Sequence, residues 1–503
     1  MISALHSLRA KLGARRRAMA LSVVIAYATQ AVGVVQGFVL IPLYIQYLGM
    51  ERYGYWLGLN GIIAILSAAD LGLMQTLGQR VAAAAGKQQG EDVSRYFWVG
   101  VAIFGMTGSG IWLASLALAW HVPPLLRAPK SEHAMLASVF VIGSGVVVIK
   151  LFNDFLRSMG AAILRPGVPL ATLMVGQLLG VTTIILLLLR GFGIFSIVLG
   201  LAAAELFNIT VVSGFFVWMH LRNRLFDVAP NLVCFREILA LVPYMLVSQI
   251  GVRITHQIEA TIITILLGPH STVIYTAHKK IADFLGRLVS ILWGGAVMPL
   301  AHLAGEKSPE KTGPAAKAVF LGIVSLVVLL ASSYIATDAL LVDWWIREPV
   351  VMPLSVIVLI AVARISDNFY NVASELHLAM GEIRFMATYS ILMSITVIAL
   401  YVAFTRLAGL AGIPLALTIS SIGFGLFFLR AAKRRWGILV FSGTEIAKAM
   451  GASAIALTFA VAVAWTTENL ATGPRWLWTI GADLLLCLCW TTMMARVIRS
   501  ARR

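Results

Sequence analysis

Six basic residues, Lys150, Arg253, Lys279, Lys280, Arg287 and Arg364, stand inside stretches of sequence that are otherwise apolar and long enough to cross a bilayer. A cation near the middle of a membrane helix costs about 2.5–3.5 kcal/mol, so six of them would cost on the order of 15–20 kcal/mol unless each is paired or faces water. Three fall in one stretch. Thr272, Thr276, Lys279, Lys280, Asp283, Arg287 and Ser290 recur at steps of three or four, which puts them on one face of a helix whose other faces are apolar. The preceding stretch repeats the pattern with Gln249, Arg253, His256, Gln257 and Ala260. An excess of ammonium and guanidinium groups suits an anion, with pyrophosphate the natural candidate for Arg253, Lys279, Lys280 and Arg287 because separated cations share its charge. Asp70, Glu259 and Asp283 are the candidates for coupling to a proton or sodium ion. His256 has the ordinary imidazole range for a titrating group, but a lone histidine in a helix serves as readily as a hydrogen-bonded structural residue.

A bland reading stands beside this one. Lys150 with Asp154, Arg364 with Asp367, and Asp283 with Arg287 are three or four residues apart, so each pair could neutralise itself as a structural bridge. Two earlier stretches carry milder polar faces, Gln30, Gly33 and Gly37 on one and Asn60, Ser67, Asp70 and Gln75 on the other. The simplest assembly turns all four faces toward a shared wet, cationic cavity lined by Gln30, Asn60, Gln249, His256, Thr276 and Asp283.

The elements that must position these side chains are membrane helices. The chain has 503 residues, 60% of them hydrophobic and 12% charged, and its mean hydropathy is +0.90. Such a chain needs a bilayer as solvent. Helices are expected at 18–48, 52–82, 96–120, 132–158, 168–190, 193–220, 237–267, 271–302, 315–340, 350–379, 385–405, 409–431, 443–466 and 475–496. Of the 39 basic residues, 26 fall in connections on one side and 7 on the other, the remaining six being those within spans. The richer side is the cytoplasmic one, so both termini are expected there. A shift of 219 residues lays Gln30 on Gln249, Leu48-Gly49 on Leu267-Gly268, Ala85-Gly86 on Ala304-Gly305 and Gly193-Ile194 on Gly412-Ile413. Met159-Gly160 meets Met380-Gly381 at a shift of 221. Six helices separate the copies, so the repeats are parallel, related by an axis along the membrane normal. The expected organisation is a basic cytoplasmic tail at 1–17, an N-lobe of six helices at 18–220, a cytoplasmic linker at 221–236, a C-lobe of six helices at 237–431, and two further helices with a basic tail at 432–503.

Several function classes are disfavoured. The net charge of +17 is scattered through short connections and forms no basic domain, so nucleic acid is not an expected partner. No GxxxxGK[ST] loop is present to drive a pump with ATP. No connection has the bulk of a folded soluble domain; a membrane enzyme of polysaccharide assembly, the reading from a different class, would need a catalytic base in a sizeable periplasmic loop, and those at 120–131 and 338–349 are short. The three cysteines give neither a disulfide framework nor zinc spacing, and no metal or cofactor is expected. The apolar run after Arg17 is about twice the length of a signal-peptide core, so it is expected to be a retained helix.

The segment Phe38-Val39-Leu40-Ile41-Pro42-Leu43-Tyr44-Ile45, then Leu48-Gly49, Tyr53-Gly54-Tyr55-Trp56, and Ala69-Asp70-Leu71-Gly72-Leu73 followed by Arg80, resembles the opening of bacterial polysaccharide flippases. These are the O-antigen and exopolysaccharide translocases of the multidrug/oligosaccharidyl-lipid/polysaccharide exporter superfamily. The resemblance covers about residues 35–85 and implies two six-helix lobes around a central cavity. It implies translocation of undecaprenyl-pyrophosphate-linked oligosaccharide from the cytoplasmic to the periplasmic leaflet of the bacterial inner membrane by alternating access. It also implies a functional monomer in contact with a polysaccharide polymerase and assembly machinery. The headgroup site of the family maps onto Arg253, Lys279, Lys280 and Arg287, with Val34 across from Arg253 where a related lipid-precursor flippase class has a basic residue. The alternatives are a peptidoglycan-precursor flippase and a cation-coupled drug exporter of the same superfamily; an exporter of cationic drugs should have an acidic lumen.

Overall fold

Backbone amides in lipid must be satisfied within their own segment, and helices are what a computed structural model of the chain contains. It describes the backbone at residues 2–66, 73–87, 89–165, 167–223, 227–228, 232–305, 309–346, 350–380, 382–437, 443–469 and 475–501; side chains at 1–27, 240–254, 290–312, 491–503 and some shorter stretches lie outside the described set. The helices are α1 (Ile2–Leu66), α2 (Leu73–Gly86), α3 (Gly90–Leu118), α4 (Val122–Leu125), α5 (His133–Ala162), α6 (Gly167–Leu189), α7 (Phe195–Asn223), α8 (Leu232–Leu267), α9 (Pro269–Gly305), α10 (Pro309–Ile346), α11 (Leu354–Ala379), α12 (Ile383–Ala408), α13 (Gly412–Trp436), α14 (Gly443–Asn469) and α15 (Arg475–Ala501). No strand occurs among the described residues. The protein is an all-α, multi-pass integral membrane protein. Among the described residues, helix α1 divides at Gly49 into two long segments, and with α3, α5 to α7 and α8 to α15 there are fourteen long helical segments. Among the described residues, nine segments are long and apolar enough to cross a membrane by themselves.

One boundary differs in detail from the sequence expectation: the basic segment continues helix α1, which begins at Ile2. Of the span expected at 52–82, the end of α1 and α2 are described, and residues 67–72, which include Asp70, lie outside the described set.

Two glycines matched at a shift of 219 do the same backbone work. Gly49 has φ 75° and ψ 162°, and Gly268 has φ 91°. A side chain at such torsions strains the backbone, so glycine is the residue that lets two long helices meet with no loop between them. Gly86 and Gly305 each close their helix, α2 and α9. Of the Gly193 and Gly412 pair, only Gly193 has a positive φ.

The chain divides into two compact units, Met1–Ile265 and Leu266–Arg503. In the first, an aromatic stack joins α3, α5 and α7, with Phe155 at ring-centroid distances of 5.1 Å from Phe104 and 5.8 Å from Phe97. Lipid gives helices little hydrophobic reason to associate, so close packing and hydrogen bonds carry the contact. Asn153 on α5 accordingly donates to Glu205 on α7 at 2.6 Å. Hydroxyls within spans are satisfied by the carbonyl one turn back, as Thr418 is by Pro414 at 2.7 Å. In the second unit the terminal helices pack on α10: Val328 and Leu329 meet Ala452, Ala456, Leu486 and Trp490, and the Trp490 indole donates to the Ser325 carbonyl at 2.8 Å.

Candidate functional site

Helix α9 begins one residue after the Gly268 turn, where the Thr272 hydroxyl donates to the Gly268 carbonyl at 3.1 Å. Its two faces differ in burial. Val273, Tyr275, Ala277, His278, Ile281 and Ala282 are buried, whereas Thr276, Lys279, Lys280 and Asp283 are half-buried and Arg287 is exposed. The polar face therefore lies on the open side of the helix, apart from Thr272, which is buried. Arg287 stands at the midpoint of α9, about 27 Å from either end at 1.5 Å per residue. An exposed guanidinium at that depth needs water or a polar ligand beside it.

The carboxylate on this face is engaged from elsewhere. Asp283 accepts an ion pair from Arg364 of α11, while Arg364 lies 3.9 Å from Asp367, the neighbour expected from spacing. Arg364 thus joins α9 to α11 across the second unit, and no pair between Asp283 and Arg287 forms. Four cations, Lys279, Lys280, Arg287 and Arg364, share two carboxylates, Asp283 and Asp367. Lys280 feels both neighbours on its own helix and Asp283. The region keeps a positive balance, and among the described residues neither Lys280 nor Arg287 forms an ion pair. Beside Arg364, α9, α10 and α11 leave an apolar gap with room for about one water, walled by Leu285, Val289, Val327, Ala331 and Ala361.

The other expected residues are dispersed. Lys150 donates to Asp154 at 2.7 Å on α5, and Arg157 also pairs with Asp154, so that carboxylate is held between two cations of its own helix. Glu259 is buried on α8, at 2% exposure, and Asn60 is half-buried on α1. Gln30, Asp70, Gln249, Arg253 and His256 lie outside the described residues or side chains. Among the described residues no three His, Cys, Asp or Glu side chains converge as a metal site.

One pair escapes the sequence reading altogether. On the buried face of α9, His278 Nδ1 lies 2.5 Å from Asp338 Oδ2 of α10 and Nε2 lies 3.0 Å from the Val350 carbonyl. Sixty residues separate the partners, so no helical spacing announces them; a histidine and an aspartate each on an otherwise apolar helix face is the available signal.

Comparison with known proteins places this arrangement. No protein-family model and no curated protein sequence matches the chain. Solved structures do. Lipid II flippase MurJ in an inward closed conformation is similar with a TM-score of 0.72 at 12% identity, over 95% of this chain and 99% of that one. An inward-facing multidrug resistance MATE family transporter of the MOP superfamily is similar with a TM-score of 0.65 at 15% identity, over 80% and 94%. The chain shares its fold with these two transport proteins. A further MOP superfamily transporter, from Pyrococcus furiosus, whose description reports a binding pocket of reversed polarity, is similar with a TM-score of 0.56 at 16% identity, over 84% and 96%. At such identities the likeness is one of fold, and what a MOP-fold chain carries is decided by its own polar residues.

Proposed function

We propose that the protein is a flippase that moves undecaprenyl-pyrophosphate-linked oligosaccharide from the cytoplasmic to the periplasmic leaflet by alternating access. The observation that carries this reading is the polar face of α9: Lys279, Lys280 and Arg287 stand together while Asp283 is taken up by Arg364. A pyrophosphate headgroup has the charge and the oxygen acceptors that suit such a face. The sugar would travel in water and the prenyl chain in lipid. In this reading the two six-helix lobes are 18–220 and 237–431, the termini are cytoplasmic and the membrane is the bacterial inner membrane. Arg253 joins the headgroup site, the monomer is the working unit, and polymerase and assembly proteins receive the product. Asp70 and Glu259 remain candidates for coupling to a proton or sodium ion, while Asp283 is already engaged.

The MurJ likeness favours a second reading, a peptidoglycan lipid precursor as cargo, since a lipid pyrophosphate would use the same cations. Purified protein in proteoliposomes distinguishes the two: fluorescent prenyl-pyrophosphate oligosaccharide and lipid II are supplied separately, and the fraction reaching the outer leaflet is measured by quenching. Movement of neither removes the flippase reading; movement of lipid II alone moves the assignment to the second.

A further inference from the structure

His278 and Asp338 are 2% and 0% exposed, the most deeply buried acid–imidazole contact among the described residues. The geometry fixes their protons. The Val350 carbonyl only accepts, so Nε2, at 3.0 Å, carries a hydrogen. At 2.5 Å, Nδ1 and Asp338 Oδ2 attract each other only if a proton lies between them; without it a nitrogen lone pair would face a carboxylate oxygen. The pair is therefore drawn in its protonated form, whether written as imidazolium and carboxylate or as imidazole and carboxylic acid. The other oxygen, Asp338 Oδ1, is buried and has no hydrogen-bond partner, so nothing else holds the carboxylate once that proton leaves.

A way out for the proton is present. His278 forms part of the wall of an open-sided cavity of about 460 Å³ in the same unit, with Asp343 of α10 and Arg475 of α15 also on its wall. The groups facing the pair are few. On α10 the Tyr334 phenol, itself buried without a partner, interacts with Asp338, with Tyr275 of α9 and with the Asp283–Arg364 pair that joins α9 to α11. On α9 the next residue is Lys279, on the polar face. From α14, among the described residues, Ala464 and Thr467 reach the cavity.

We infer that His278 and Asp338 together form a buried proton-binding site, and that its loading and unloading biases the packing of α9 against α10. Loss of the proton leaves the imidazole one hydrogen for two acceptors, so its contact either with Asp338 of α10 or with the Val350 carbonyl just beyond α10 turns repulsive, and α9 bears Lys279, Lys280 and Arg287 on its other face, so a proton gradient would act on the headgroup site. The consequence for transport rests on the flippase reading; the proton site does not.

The full-length protein in lipid bilayers, labelled with ¹⁵N-histidine and ¹³C-aspartate, tests the site by solid-state NMR between about pH 5 and pH 9, where imidazoles and buried carboxylates titrate. The His278 ring and the Asp338 carboxyl, assigned from H278Q and D338N, should change together in one step. The step should vanish from the remaining partner in either variant and return in D338E. Signals that stay constant, or a His278 step unmoved by D338N, overturn the site. If a variant fails to insert, the joint step in the wild-type spectra decides. In proteoliposomes an imposed pH gradient should speed flipping of prenyl-pyrophosphate oligosaccharide several-fold in the wild type and not in D338N. Equal acceleration overturns the coupling, whereas absence of any flipping with an intact NMR step overturns the cargo and leaves the site.

Discussion

Thr261 of α8 donates its hydroxyl to the carbonyl of Gly58 in α1, 2.7 Å away and 203 residues earlier in the chain. The helices meet this closely because glycine faces threonine twice. A Cβ on Gly58 would lie 2.8 Å from Thr264 Cβ, and one on Gly61 would lie 2.8 Å from the Gln257 carbonyl and against the Thr261 hydroxyl. Gly61→Val should wedge the helices apart and cost about 1–3 kcal/mol. Gly214→Ala, where a Cβ meets nothing within 4 Å, is the control. Thermal unfolding of the purified protein measures both, and equal melting of the two variants refutes the tight crossing.

The hinge glycines make a matching pair of predictions. Replacing Gly49 or Gly268 by alanine puts a side chain at φ 75° or 91°, which should destabilise by about 1–3 kcal/mol at each site. Similar losses at the two positions, read from denaturation midpoints, would show that they play equivalent parts in the repeat.

Arg364 should prove structural. Truncating one partner of a buried ion pair costs about 3–5 kcal/mol, and the partial exposure of Asp283 lowers the expectation for Arg364→Ala to about 1–2 kcal/mol. Asp283→Asn with Arg364→Gln should recover part of that loss, and the double-mutant cycle gives the coupling. Additive losses would mean the two side chains do not interact.

For the cations the expected signature is functional. Charge-assisted hydrogen bonds contribute about 1.5–3 kcal/mol, so Lys279→Ala or Arg287→Ala should weaken apparent affinity for a prenyl-pyrophosphate oligosaccharide by about tenfold or more. Membrane insertion and melting should be unchanged. Export at wild-type rates in both variants would take these residues out of the headgroup site.

These results mark what sequence can and cannot disclose in such a chain. The polar face of α9 was legible because all its members share one helix, and the helical period alone lines up Lys279, Asp283 and Arg287. Lys150 and Asp154 were legible for the same reason, and the glycines at 49 and 268 because a common shift brings them together. Contacts between helices were not. Spacing offers Asp367 as a partner for Arg364, yet its closer partner is Asp283 on another helix, chosen by the crossing of α9 and α11. His278 and Asp338 belong to apolar faces where each looks like an isolated residue, and only the packing of α9 on α10 makes them a pair. The Thr261 hydroxyl was likewise one of many in an apolar run until Gly58 gave it a carbonyl without a side chain in the way.

Among the described residues, the seam between the last two helices and α10 consists mainly of small and aliphatic residues, with the Trp490 indole and the Asp483 carboxyl as its polar contacts to α10. Since hydrocarbon tails wet such a surface as readily as alanine or leucine does, shape and a few hydrogen bonds retain the pair. Helices α14 and α15 are thus a detachable outrigger: a chain could lose or gain them by changing a handful of residues on α10, with the charged face of α9 left as it was.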